Sequence, residues 1–152
     1  MIQLSQKEKM MLQDQKHHEE MCIQKYTEYA NKAQDPQLKQ LFMYHADQER
    51  QHLNTINQIL NGQVPNMQQN QQSQSNAQFI FDQSLNYSQD DIKFCEDLLM
   101  TEKYVSSTYN TTIFECVDTN VRKALNHIQK EEQEHGEHIF NYLKSKNMYN
   151  VQ

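Results

Sequence analysis

One constellation constrains this chain more than anything else in it, and it occurs twice. Glu19 is followed by Glu49 and His52, a Glu-x-x-His pair, and 83 positions later Glu102 is followed by Glu132 and His135. In both sets the lone Glu stands 30 positions before the Glu of its pair. No other Glu-x-x-His occurs in the 152 residues, where 12 Glu and 7 His would give about half a match by chance. Residues three apart on a helix share a face, so one pair can chelate one ion. Two lone Glu and two such pairs, pointed into one helical bundle, are the ligand set of a carboxylate-bridged di-metal site.

The rest of the chain reads as the helices this requires. It holds only two Gly and two Pro, far below ordinary usage. A first helix is expected over about 5–33, opened by a capping box of Ser5 with Glu8. Asp35-Pro36 ends it and starts a second over about 36–60, which stops at Asn61-Gly62. Ser88 with Asp91 opens a third over about 88–116, and Asp118 caps a fourth over about 119–146. Between them lies a connector over about 62–87. Its Gln/Asn-rich run from Met67 to Asn76 is expected to be mobile, and Phe79-Ile80-Phe81 is expected to clip it onto the helices. Short turns join antiparallel neighbours, and a connector of about 25 residues can cross the length of a bundle. The expected fold class is all-α: a single ferritin-like four-helix bundle over 1–152, two antiparallel hairpins joined by a long crossover connector.

The halves align as a pseudo-repeat at offset 83, which pairs Glu19 with Glu102, Tyr26 with Tyr109, Asp35 with Asp118, Glu49 with Glu132 and His52 with His135. The candidate ligands also fall on the apolar stripes. Val121, Leu125, Ile128, Glu132, His135, Ile139 and Tyr142 or Leu143 form one, and Leu38, Leu41, His45, Glu49, His52, Ile56 and Ile59 another. Glu19 falls in line with Leu12, Ile23, Tyr26, Ala30 and Ala33, and Glu102 with Cys95, Leu98, Val105 and Tyr109. Four ionised carboxylates in a bundle core would each cost several kcal/mol, more than a stability of roughly 5–15 kcal/mol can carry. Two divalent cations balance them, with the two imidazoles completing the ligand set; iron or manganese, or else zinc, suits such donors. Metal ligands are therefore expected at Glu19, Glu49, His52, Glu102, Glu132 and His135. Two alternatives stay open: slightly rotated stripes that leave the Glu solvated or paired with Arg50, Lys103 or Lys130, and protonated Glu hydrogen-bonded to His without metal. Tyr26 and Tyr109 can hydrogen-bond ligand carboxylates or be ordinary core residues, and His45 stands one turn before Glu49.

Formal net charge is −6 with a pI near 5.6, which argues against a nucleic-acid partner. Mean hydropathy is −1.00, and no apolar run approaches membrane length, so no membrane partner is expected. The first residues lack a secretory apolar core, and synthesis in a cytosol is expected. Cys22, Cys95 and Cys116 are odd in number and form no C-x-x-C pair, so buried thiols are expected.

The run Glu19-Glu20-Met21-Cys22-Ile23-Gln24-Lys25-Tyr26 with Tyr29-Ala30, added to the doubled ligand pattern, resembles the ferritin-like superfamily, especially rubrerythrins, though without a rubredoxin-type cysteine pair. A closer resemblance is to the coat F family of spore coat proteins of endospore-forming bacteria. It rests on Asp91-Ile92, Leu98-Leu99 with Glu102-Lys103, Tyr109, Val121-Arg122, Ile139-Phe140-Asn141-Tyr142-Leu143 and Asn147-Met148-Tyr149, across roughly 88–152. The first hairpin is similar to clostridial-type members through Leu4-Ser5-Gln6-Lys7-Glu8 and Ala33-Gln34-Asp35-Pro36. This resemblance implies a helical, ferritin-like protein made in the mother-cell cytoplasm and deposited in the spore coat, with other spore coat proteins as partners. A second copy of the chain, as a homodimer, is a further candidate partner. The resemblance implies no catalysis. Three functions follow as expectations: a coat bundle stapled by two metal ions, a di-iron or di-manganese oxidoreductase acting on peroxide or oxygen, and a metal-free structural bundle.

Overall fold

Side-chain caps set where each helix begins. In the computed structural model, which describes residues 1–66 and 78–149, the helices are α1 (Gln6–Lys32), α2 (Pro36–Leu60), α3 (Gln89–Glu115) and α4 (Thr119–Ser145), and no strand occurs among the described residues. Ser5 and Glu8 close the capping box of α1, and Ser88 and Asp91 close that of α3. Asp35 caps α2 ahead of Pro36, and Asp118 caps α4 through the N–H groups of Asn120 and Val121. After α2 the chain turns at Gly62, whose φ of 81° favours glycine. The expected helix limits hold to within one residue at each end.

Long-range hydrogen bonds fix how the helices run. Gln15 Nε2 donates to Thr112, Tyr26 to Glu102, Lys25 to Asp97, and the Gln34 N–H to Asp91. Residue numbers rise on α1 as they fall on α3, so these two are antiparallel. Contacts of Gln48 with Glu131, His45 with His138, and Asp35 with Tyr142 show the same for α2 and α4. With short turns joining α1 to α2 and α3 to α4, α2 and α3 run parallel, and the connector must return along the length of the helices.

All the stripe residues expected on α2, α3 and α4 are buried. On α1 one expectation is corrected: Cys22, fully buried, takes the core position, while Ile23 is only half-buried. The step from Glu19 to Cys22 is three residues and that to Tyr26 a further four, which keeps the stripe on one face. Cys22, Cys95 and Cys116 are free and buried.

Of the expected clip, Phe79 and Phe81 hold the described part of the connector, while Ile80 between them is exposed. The Phe79 ring meets Tyr44 and His138, and Phe81 meets Tyr142 edge-on at 5.1 Å. Lys146, just past α4, is buried and donates to the carbonyls of Asp82 and Ser84 at 2.7 and 2.9 Å. The Gln/Asn-rich run expected to be mobile lies outside the described residues.

Candidate metal centre

All six candidate ligands meet in the middle of the bundle. Glu19, Glu49, Glu132 and His135 are fully buried, and Glu102 and His52 are 2% exposed. This burial removes the reading of solvated boundary carboxylates; Arg50 pairs instead with Asp47 at the surface. Two ligand groups form, Glu19 with Glu49, His52 and Glu132, and Glu49 with Glu102, Glu132 and His135. Within each group the donor atoms lie no more than 4.8 Å from one another. Glu49 and Glu132 belong to both groups, one from α2 and one from α4.

The pseudo-repeat becomes a two-fold arrangement of contacts. His52 Nδ1 lies 2.7 Å from Glu132 Oε1, and His135 Nδ1 lies 3.0 Å from Glu49 Oε1. Tyr109 donates to Glu19 Oε1 at 2.5 Å, and Tyr26 donates to Glu102 Oε1 at 2.6 Å. Each tyrosine thus steadies the lone carboxylate of the opposite hairpin, the supporting role that sequence left undecided.

Sequence reasoning missed the outer partners of the two histidines. His52 Nε2 lies 3.1 Å from Glu131 Oε1, and His135 Nε2 lies 2.5 Å from Gln48 Oε1. Gln48 also donates through Nε2 to Glu131 Oε2 and to the Tyr44 hydroxyl. That donation fixes the orientation of its amide, so Oε1 must accept from a protonated His135 Nε2. In the neutral imidazole this tautomer leaves the Nδ1 lone pair facing the carboxylates. The missed signal was the repeat itself, because Gln48 and Glu131 are 83 apart and each immediately precedes the Glu of its pair. His127 Nε2 lies 2.9 Å from Glu131 as well. Burial opposes ionisation of Glu131, but hydrogen bonds from His127 and His52 and their charge hold it below the usual carboxylate range. His45 is buried and stacks on His135 at 4.1 Å, with His138 beyond it.

Burial sets the charges. It pushes Glu49 and Glu132 well above the ordinary carboxyl range, helped by the neighbouring carboxylates. Burial also works against ionisation of Glu19 and Glu102. It is outweighed at Glu19 by the charge and hydrogen bonds of His52 with those of Glu49 and Tyr109, and at Glu102 by Glu132, His135 and Tyr26, so both fall below. Burial disfavours charge on His52 and His135, yet Glu19 beside one and Glu102 beside the other raise both. Among the six candidate ligands these directions favour charge on Glu19, Glu102, His52 and His135 and protons on Glu49 and Glu132.

Counted as carboxylates, Glu19 Oε2, Glu49 Oε2, Glu102 Oε2 and Glu132 Oε2 accept no hydrogen bond from the described residues. Without metal their partners are one another: protonated Glu49 and Glu132 hydrogen-bond Glu19 and Glu102, and no donor outside the cluster reaches these oxygens. These oxygens and the two imidazoles fit a pair of hard or borderline divalent cations.

The family comparison falls on half of this geometry. Residues 90–152 match the Coat F domain. The Coat F match takes in α3 and α4 with Glu102, Glu132 and His135; Glu19, Glu49 and His52 lie outside it. No curated protein and no solved structure matches the chain. None of the described helices is long and apolar enough to cross a membrane.

Proposed function

We propose that this chain is a spore coat component with a ferritin-like bundle stapled at mid-length by two divalent metal ions. The coat assignment follows the Coat F match, and association with other coat proteins comes with it. The antiparallel pairing of α1 with α3 and of α2 with α4, with one long crossover, follows the ferritin-like scheme. One observation carries the metal reading: four buried carboxyls, whose spare oxygens no donor outside the cluster reaches, converge with two oriented imidazoles. Glu19 and His52 would hold one ion, Glu102 and His135 the other, with Glu49 and Glu132 shared. Ions there would supply charge neutralisation and cross-link all four helices.

The test is elemental mass spectrometry of protein purified without chelator or histidine tag. About two ions of iron, manganese or zinc per chain are expected, lost when Glu49 and Glu132 are replaced by Ala. Folded protein that refuses all three metals would overturn the reading.

Charge balance gives a second expectation. Glu49, Glu132, His52 and His135 all sit above their ordinary values and hold protons that metal must displace. Two divalent ions replace four protons, and the net charge of the site is unchanged by the exchange. Because protons leave on binding, affinity rises with pH and falls on acidification, by about tenfold per pH unit for each proton displaced. Calorimetric titration in buffers of differing ionisation enthalpy should count about four protons per two ions. A count near zero would mean that these residues are not the ligands.

A further inference from the structure

A cavity of about 730 Å³ lies between α3 and α4, with Leu99, Ser106, Gln129 and Gly136 in its wall. Glu102 and Glu132 also line it, and they are its only buried lining residues. Both belong to the candidate ligand group completed by Glu49 and His135, and each has an oxygen that no donor outside the cluster reaches. The cavity thus reaches the side of the site where Glu102 and Glu132 stand.

The repeat explains why a groove exists here. Eighty-three positions before Gly136 stands Leu53, and 83 before Ser106 stands Ile23. On α1 and α2 two large apolar side chains, both half-buried, occupy positions that on α3 and α4 carry a hydrogen and a hydroxymethyl group. Gly136 is not demanded by backbone or packing. Its φ is not positive, and a Cβ built there meets only Leu99 Cδ1, at an ordinary 3.8 Å. Glycine inside a helix costs about 1 kcal/mol relative to alanine. What its missing side chain leaves is space beside the residue that follows His135 in sequence, next to Glu132.

We propose that, among the described residues, the site is open from one side: the groove between α3 and α4 admits a small metal-binding anion or oxygen donor to the position of Glu102, Glu132 and His135. Leu53 and Ile23 close the corresponding approach between α1 and α2. This rests on the metal reading above. The two ion positions are then chemically unequal although their ligands match, one sealed and structural, the other reachable from solvent. An entry of this kind is what chemistry on peroxide or oxygen would require of the fold.

The experiment uses the full chain loaded with cobalt(II), whose visible absorption reports its ligands, and azide as the probe. Azide should change the spectrum of the wild-type protein. Gly136→Leu, which places in this half the residue its counterpart already has, should keep cobalt per chain unchanged and weaken azide binding at least tenfold. Ser106→Ile, filling the groove from the other helix, should do the same and guards against a folding defect of the first variant. Wild-type cobalt protein blind to azide, or both variants responding like wild type, would overturn the entry while leaving the metal site standing. Failure to take up cobalt at all would remove the metal reading and the entry with it.

Discussion

Saturating manganese or iron(II) should raise the melting temperature of this protein by about 15 °C or more, and excess chelator should reverse it. A ligand that binds only the native state stabilises it by about 4 kcal/mol at a thousandfold excess over its dissociation constant. Each kcal/mol shifts the midpoint of a chain of this size by roughly 2–4 °C, so two ions reach that range. The unfolded chain has no preformed site, because the ligands come from all four helices and are up to 116 positions apart. Thermal unfolding with and without chelator is the measurement.

The sign of a substitution then depends on whether metal is present. Replacing Glu49 and Glu132 together by Leu removes two buried carboxyls that must hold protons in the metal-free core. Apolar residues of similar volume in place of buried ionisable groups are often neutral or stabilising, by about 1–4 kcal/mol. With chelator the double variant should melt at or above wild type; with metal it should melt well below. A variant that tracks wild type under both conditions would mean that no ion staples the bundle.

Caps and the convergence of the six Glu and His residues were the most legible parts of this sequence. Ser5 with Glu8, Asp35 before Pro36, Ser88 with Asp91 and Asp118 each mark a helix start within four residues, and all four are used. That six buried Glu and His residues meet was readable because helical periodicity and the repeat agreed on them. Where hydropathy alone was followed, it failed at Ile23. The repeat aligns Cys22 with Val105, which is buried, and Ile23 with Ser106, which is not. The partners of the histidine outer nitrogens were not legible from hydropathy, since Gln48 and Glu131 are polar residues beside the stripe. Only the approach of α2 to α4 tells that they face each other and not water. Gly136 was likewise silent, because a missing side chain acquires meaning only from its neighbours in space.

Asp91 carries a tertiary role that its capping motif hides, and Asp91→Ala should cost about 3–4 kcal/mol, lowering the melting temperature by roughly 10 °C. Its carboxylate is fully buried and accepts three backbone N–H groups: Gln34 at 2.9 Å, Asp35 at 3.0 Å and Ser88 at 3.2 Å. One closes the box of its own helix, worth about 1 kcal/mol. The other two pin the turn between α1 and α2 to the start of α3, and loss of the carboxylate orphans the N–H of buried Asp35. Glu8 does the matching task at the opposite end, accepting from Ser5 and Val117. With one donor fewer, Glu8→Ala should cost less, about 2 kcal/mol. Eleven residues of α3, about 16 Å, separate Asp91 from Glu102. The variant should therefore lose stability yet hold as much metal per chain as wild type, whereas Glu49→Ala should lose the metal. Urea unfolding beside metal analysis distinguishes the two. If Asp91→Ala stays within about 1 kcal/mol of wild type, the clamp at the hairpin junction contributes nothing beyond a cap, and the hairpins are held together by the core and the site alone.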